Sequence, residues 1–157
     1  MTMKGEYEMS ASNGKRPRVL VLENSHQDGP TVCRIIKKIG PEPTWVPQVR
    51  AYGAGGFLGK KADFGCKKPR LEMFVGRWQE YALILANGNV GPRISGFNLV
   101  PLILAAERPV PFIGIDNCER KNEYMTARKA NSSTTSKRDP IAFEAYLRKI
   151  FRELKIK

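Results

Sequence analysis

The chain is poor in the residues that most chemistry needs. It has one histidine, His26, and three cysteines, Cys33, Cys66 and Cys118. The cysteines stand far apart and form no Cys-x-x-Cys pair. With so few and such scattered ligands a structural zinc site is not expected, and an odd, dispersed set points to reduced thiols in a cytosol. No run of about 18 apolar residues occurs, so no membrane span is expected. The first residues, Met1 to Arg18, are polar and lack the apolar core of a secretory signal. Acidic residues are also scarce: 15 Asp and Glu stand against 27 Lys and Arg, for a formal charge of +12. That balance favours an anionic partner surface such as nucleic acid, an acidic protein or lipid headgroups, or else it only keeps the domain soluble.

What is present suits a single globular domain. The length of 157 residues and an apolar content of 41% are ordinary for one. Residues 1–16 read as a flexible polar tail, and 17–157 as one α/β domain. Two apolar runs set the pattern, Val19-Leu20-Val21-Leu22 and Tyr81-Ala82-Leu83-Ile84-Leu85-Ala86. Short continuous apolar runs stopped by turn residues mark strands covered on both faces, as in a parallel sheet between helices.

Helices are predicted from Pro30 to Ile39, with Pro30 at the first helical position, from about Leu71 to Gln79, from Asn98 to Ala106, and from Pro140 to Leu154. The last is headed by Asp139 as N-cap and Pro140 at N1. In the first, Val32, Ile35, Ile36 and Ile39 form one apolar stripe. Thr44 to Pro47 is predicted as a second strand, at an edge or ending there, because Pro47 cannot donate to a ladder. Val110 to Ile115 reads as a further strand and Tyr124 to Thr126 as a short last one. Asn131 to Arg138 reads as a polar loop. The Gly- and Lys-rich stretch at about 50–70 reads as an irregular basic insertion. Strands alternating with helices predict a doubly wound, three-layer parallel sheet of about five strands, flavodoxin-like in type. In such a sheet the functional loops lie beyond the carboxyl ends of the strands, here at Glu23-Asn24, Ala86-Asn87 and Asp116-Asn117.

Arg18-Val-Leu-Val-Leu-Glu-Asn24, Tyr81-Ala-Leu-Ile-Leu-Ala86, Gly96-Phe97, Pro109-Val-Pro-Phe-Ile-Gly-Ile115, Glu123-Tyr-Met-Thr126 and Asp139-Pro140 before an amphipathic helix together resemble the receiver domain of two-component response regulators. The likeness runs from about Pro17 to Leu154. It implies the receiver fold and a role in signalling. The family's chemistry uses an acceptor aspartate after the third strand and an acidic pair after the first to hold magnesium. A Ser or Thr after the fourth strand and a Lys after the fifth contact the phosphoryl oxygens.

At those positions this chain has Ala86, Glu23-Asn24, Asp116, and the neighbourhood of Ala127 with Arg128 and Lys129 out of register. A methyl group is no nucleophile. The resemblance therefore implies a degenerate, non-phosphorylatable receiver that acts by protein–protein contact, with no enzyme activity, no cofactor and no metal. Ordinary receivers dimerise and meet partners around the fourth strand, fourth helix and fifth strand. That region is remodelled here, and a homodimer stays open.

Other readings stand beside this one. Glu23 and Asp116 either hold a divalent cation together or serve singly as a turn cap and a solvated carboxylate. Lys60, Lys61, Lys67, Lys68 and Arg70, with Phe57, Phe64 and Phe74 nearby, either track a phosphate backbone, as in a basic nucleic-acid-associated accessory protein, or form a solvated loop. Arg128 and Lys129 are further anion contacts under the first of these. Leu85-Ala-Asn-Gly-Asn-Val-Gly-Pro92 and Phe112-Ile-Gly-Ile-Asp116 are similar to the oxyanion loop and nucleophile elbow of class I glutamine amidotransferases. Asp116 stands where that family's cysteine belongs, Cys118 comes two residues late, and the His-x-Glu pair is missing. Neither His26 nor Cys118 has a partner in the sequence that would activate it.

Overall fold

The structure is a computed structural model that describes residues 16–25, 27–52, 56–62, 73–87, 89–91, 94–95, 110–115, 131–132 and 138–156. Strand β1 (Arg18–Leu22) leads to helix α1 (Asp28–Ile39) and then to β2 (Glu42–Tyr52), β3 (Gly56–Ala62) and β4 (Met73–Arg77). A 3-10 turn (Trp78–Glu80) precedes β5 (Leu83–Ala86). The short β6 (Asn89–Gly91) and β7 (Ile94–Ser95) pair with each other. β8 (Phe112–Gly114), β9 (Asn131–Ser132) and the final helix α2 (Pro140–Glu153) complete the described elements.

The main sheet has the order β4-β3-β2-β1-β5-β8-β9. From β2 to β9 every neighbouring pair is parallel. This is the flavodoxin-like α/β sheet that the apolar runs predict, with β5 at the middle of its parallel part. Successive residues of β1 point to opposite faces. Val19 and Val21 join Leu83, Leu85, Ile113 and Trp45 in a buried core with Val32, Ile35 and Ile36 of α1 and Phe143, Leu147 and Phe151 of α2. Leu20, Leu22, Ile84 and Phe112, on the other face, are buried as well. Both faces are covered, which is why these strands read as unbroken apolar runs.

Several expectations are corrected. β2 is far longer than Thr44 to Pro47 and is not an edge strand. Its first residues pair with β1 (Arg18 with Glu42, Val21 with Trp45), and its second half pairs antiparallel with β3. Pro47 falls inside the register shift between Trp45 and Gln48. A ladder break is where a residue without an N–H is tolerated, so the proline marks a bulge and not an end. The stretch at about 50–70 is not irregular throughout, since β3 occupies Gly56–Ala62. Leu71 to Gln79 is not a helix: Met73–Arg77 pairs with β3, and only Trp78–Glu80 turns helically. The sheet thus has seven strands, two of them antiparallel additions beyond β2. Asn131 and Ser132, expected in a loop, form β9 beside β8. The predicted helix from Asn98 to Ala106 and the predicted strand at Tyr124 to Thr126 lie outside the described residues.

Local signals fix the two helices. α1 begins at Asp28, so Pro30 is its third residue and not its first, still in the turn whose N–H groups need no helical acceptor. Gly40, with φ 146°, ends it, and its N–H bonds Ile36 O. Asp139 accepts from Ala142 N (3.3 Å) with Pro140 following, as the sequence predicts. α2 closes with Lys155 at φ 58° and Ile156 N bonded to Phe151 O (2.8 Å), which turns Ile156 back into the core. No described helix is long and apolar enough to cross a membrane.

Candidate functional site at the carboxyl edge of the parallel strands

The register places the ends of β1, β5 and β8 side by side. Leu22 lies opposite Ala86, and Ala86 opposite Gly114. Beyond these pairs, Asn87 N donates to Leu22 O (2.8 Å) and Ile115 N donates to Ala86 O (2.9 Å). Ala86 itself is fully buried. The central strand therefore delivers a packed methyl group to the position where chemistry is expected.

Glu23 follows β1 directly and is also fully buried. Its Oε2 accepts from Ser25 N (3.0 Å), and its backbone oxygen accepts from the Trp45 indole Nε1 (2.7 Å). A buried carboxylate needs such donors, because an unpartnered one costs several kcal/mol. Next to it, Asn87 Nδ2 donates to Asn24 Oδ1 (2.9 Å), so two neutral amides bridge the loops after β1 and β5.

The turn from Glu23 into α1 is built by Ser25. Its hydroxyl accepts from Gln27 N (3.2 Å) and Asp28 N (3.0 Å), and its carbonyl accepts from Gly29 N (2.9 Å). Asp28 is nearly buried and meets Arg138, just ahead of α2, at 3.5 Å. Arg138 is mostly exposed, so the contact ties the two helix starts together from the surface and meets the nearly buried Asp28 carboxylate with a solvated cation. Trp45 rests on the Cα of Gly29, where any side chain would collide with the indole ring.

Of the residues singled out from the sequence, Glu23, Asn24 and Ala86 are brought together. Asp116 follows Ile115 immediately but lies outside the described residues. So do His26, Lys67, Lys68, Arg70, Cys118, Arg128 and Lys129. Lys60 and Lys61 are on β3, in the antiparallel part of the sheet and separated from β1 by β2. Trp45, Asp28 and Arg138 were not picked out. Ser25-x-x-Asp28 ahead of an apolar stripe is a helix-start pattern that would have flagged the turn; nothing local would have paired Arg138 with Asp28.

At the end of the central strand the side chain is the Ala86 methyl, which is no nucleophile. The Asn87 N–H is engaged in the sheet ladder and is not an oxyanion donor. Among the described residues no group of three or more His, Cys, Asp or Glu is placed to hold a metal ion.

No protein-family model matches the chain, and no curated protein matches it. Solved structures do. A receiver domain (CheY-like) from Methylobacillus flagellatus superposes with TM-score 0.54 at 12% identity, over 89% of this chain and 99% of its own. The fold is receiver-like. A sensor protein from Polaromonas sp. JS666 gives 0.58 at 14% identity, over 88% of this chain and 98% of its own. The bacteriophytochrome response regulator RtBRR gives 0.50 at 14% identity, over 85% and 78%. In this receiver-like frame β1, β5 and β8 are the first, third and fourth of the parallel strands in chain order, with β2 the second.

Proposed function

We propose that this chain is a receiver-like signalling module that takes up no phosphoryl group and works by binding another protein. The observation that carries the reading is Ala86: a fully buried methyl at the end of the central strand, in register with Leu22 and one residue from the Asn24–Asn87 bridge. At that place the receivers it resembles need an ionised carboxylate to attack phosphorus, and a methyl group has no lone pair to offer. Asn24 halves the charge of the acidic pair that would hold magnesium. Its amide is bonded to Asn87, and Glu23 is satisfied internally. The positions that catalyse in receivers here fasten two loops together. Ile141, 85% exposed on the first turn of α2 and close to the Asp28–Arg138 contact, offers an apolar anchor for a protein at the same edge.

Incubation of the full chain with acetyl phosphate and magnesium, read by intact mass, is expected to show no phosphoryl adduct. An adduct that disappears in the Asp116→Ala variant would overturn the reading.

A further inference from the structure

Among the described residues, exposed positive charge gathers on the paired helices α1 and α2. Arg34 and Lys38 stand one turn apart on α1, and both are exposed. On α2, Glu144, Arg148 and Arg152 follow one another at intervals of four, with Lys149 beside them. Residues so spaced share one helix face. The two rows meet at Glu144, whose Oε1 lies 3.1 Å from Lys38 Nζ and whose Oε2 lies 3.0 Å from Arg148 Nε. One carboxylate therefore joins two cations and leaves the ridge positive. The only other acid on this stretch of α2 is Glu153. Beneath the charges, Ile35, Ile36, Phe143, Leu147 and Phe151 are buried in the common core, so the cations stand on a fixed scaffold.

The kind of partner follows from what the ridge lacks. Protein interfaces centre on a buried aromatic or aliphatic anchor. The large exposed apolar residues among those described are Ile141 and Leu154; Leu154 follows the end of α2, and Ile141 stands one turn before Glu144, at the end of the ridge and not at its centre. Single strands are held by stacking on exposed rings. The aromatic rings described on α2, Phe143, Tyr146 and Phe151, offer no such platform: Phe143 and Phe151 are buried, and Tyr146 is half-buried and stacked on Phe143 with centroids 6.4 Å apart. Two rows of cations on helices packed roughly 8–10 Å apart suit a dense, regular line of negative charge. We infer that the ridge formed by Arg34, Lys38, Arg148, Lys149 and Arg152 binds the phosphate backbone of a double-stranded nucleic acid without reading its bases. This inference is independent of whether the strand edge can be phosphorylated.

The test is fluorescence anisotropy of the full chain with short labelled duplexes of DNA and of RNA, each in two unrelated sequences. With about four phosphates neutralised, affinity should fall roughly 100-fold between about 50 and about 200 mM salt, equally for both sequences. The variant Arg34→Gln with Arg152→Gln removes one cation from each helix and leaves the Glu144 cluster in place. It should weaken binding to every duplex and lower the salt slope by about two, with an unchanged melting temperature. Lys60→Gln with Lys61→Gln should bind as the parent does. The inference is overturned by absence of binding, by a slope that the Arg34 and Arg152 changes leave alone, or by a loss that follows Lys60 and Lys61 instead. Equal competition by polyglutamate, by anionic vesicles or by single strands would overturn it too.

Discussion

Gly29→Ala is the most informative single change in this molecule. In the interior of an exposed helix, Ala in place of Gly stabilises by up to about 1 kcal/mol. Gly29 is in the first turn of α1 and its φ is ordinary, so the backbone would accept alanine. The space would not. A Cβ at this position falls well inside contact distance of Trp45 Cε2, Cζ2 and Nε1. These belong to the rigid indole, which has no flexible end to move aside. To make room, the ring must shift and pull Nε1 from Glu23 O, a bond of 2.7 Å in a fully buried place.

Leaving that N–H and carbonyl unpaired costs about 1–3 kcal/mol. Forcing a methyl into a filled core costs a similar amount, about 1–3 kcal/mol. After the gain in helix propensity the expected net loss is about 1–5 kcal/mol, a sizeable part of a typical stability of about 5–15 kcal/mol. Urea unfolding followed by far-ultraviolet circular dichroism measures it. Trp45→Phe removes the N–H and the ring atoms that collide, so Gly29→Ala should cost at least about 1 kcal/mol less in that background. If Gly29→Ala leaves the midpoint unchanged or raises it, or if the two changes simply add, the packing of Trp45 on α1 is not what holds the turn after Glu23.

Two further outcomes are expected. Burial pushes the Cys33 thiol up to about 12, against the opposing charge of Arg34, so at pH 8 almost none of it is thiolate. Alkylation mapped by peptide mass should spare Cys33 in the native chain and reach it in urea; labelling of Cys33 at the rate of a free thiol under native conditions would refute its burial. Glu144 is held below the usual carboxylate range, first by its hydrogen bond to Lys38 and then by that to Arg148. A group whose folded pKa is depressed adds stability above its unfolded pKa and loses it as pH falls through the folded value. The parent should therefore melt above Glu144→Gln at neutral pH, and the gap should shrink as pH falls below the unfolded value of about 4; a gap that does not shrink on acidification would show that the contact is not ionic.

The sequence alone determined the parallel core. Val19 to Leu22 and Leu83 to Ala86 are apolar at every position, a pattern that only strands buried on both faces require, and the stripes of α1 and α2 left one side of each helix to cover them. Ala86 at the end of the middle strand was legible for the same reason. The antiparallel addition was not. The glycines of β3 read as a loop, and the apolar spacing of Leu71 to Trp78 fits a helical face as well as a strand, so only pairing across the sheet chose between them. Tertiary structure also decided how the site is fastened. Trp45 over Gly29, Asn87 against Asn24 and Arg138 against Asp28 each join residues far apart in the chain. No local propensity encodes such contacts, because they exist only once the strands are in register and the helices are packed.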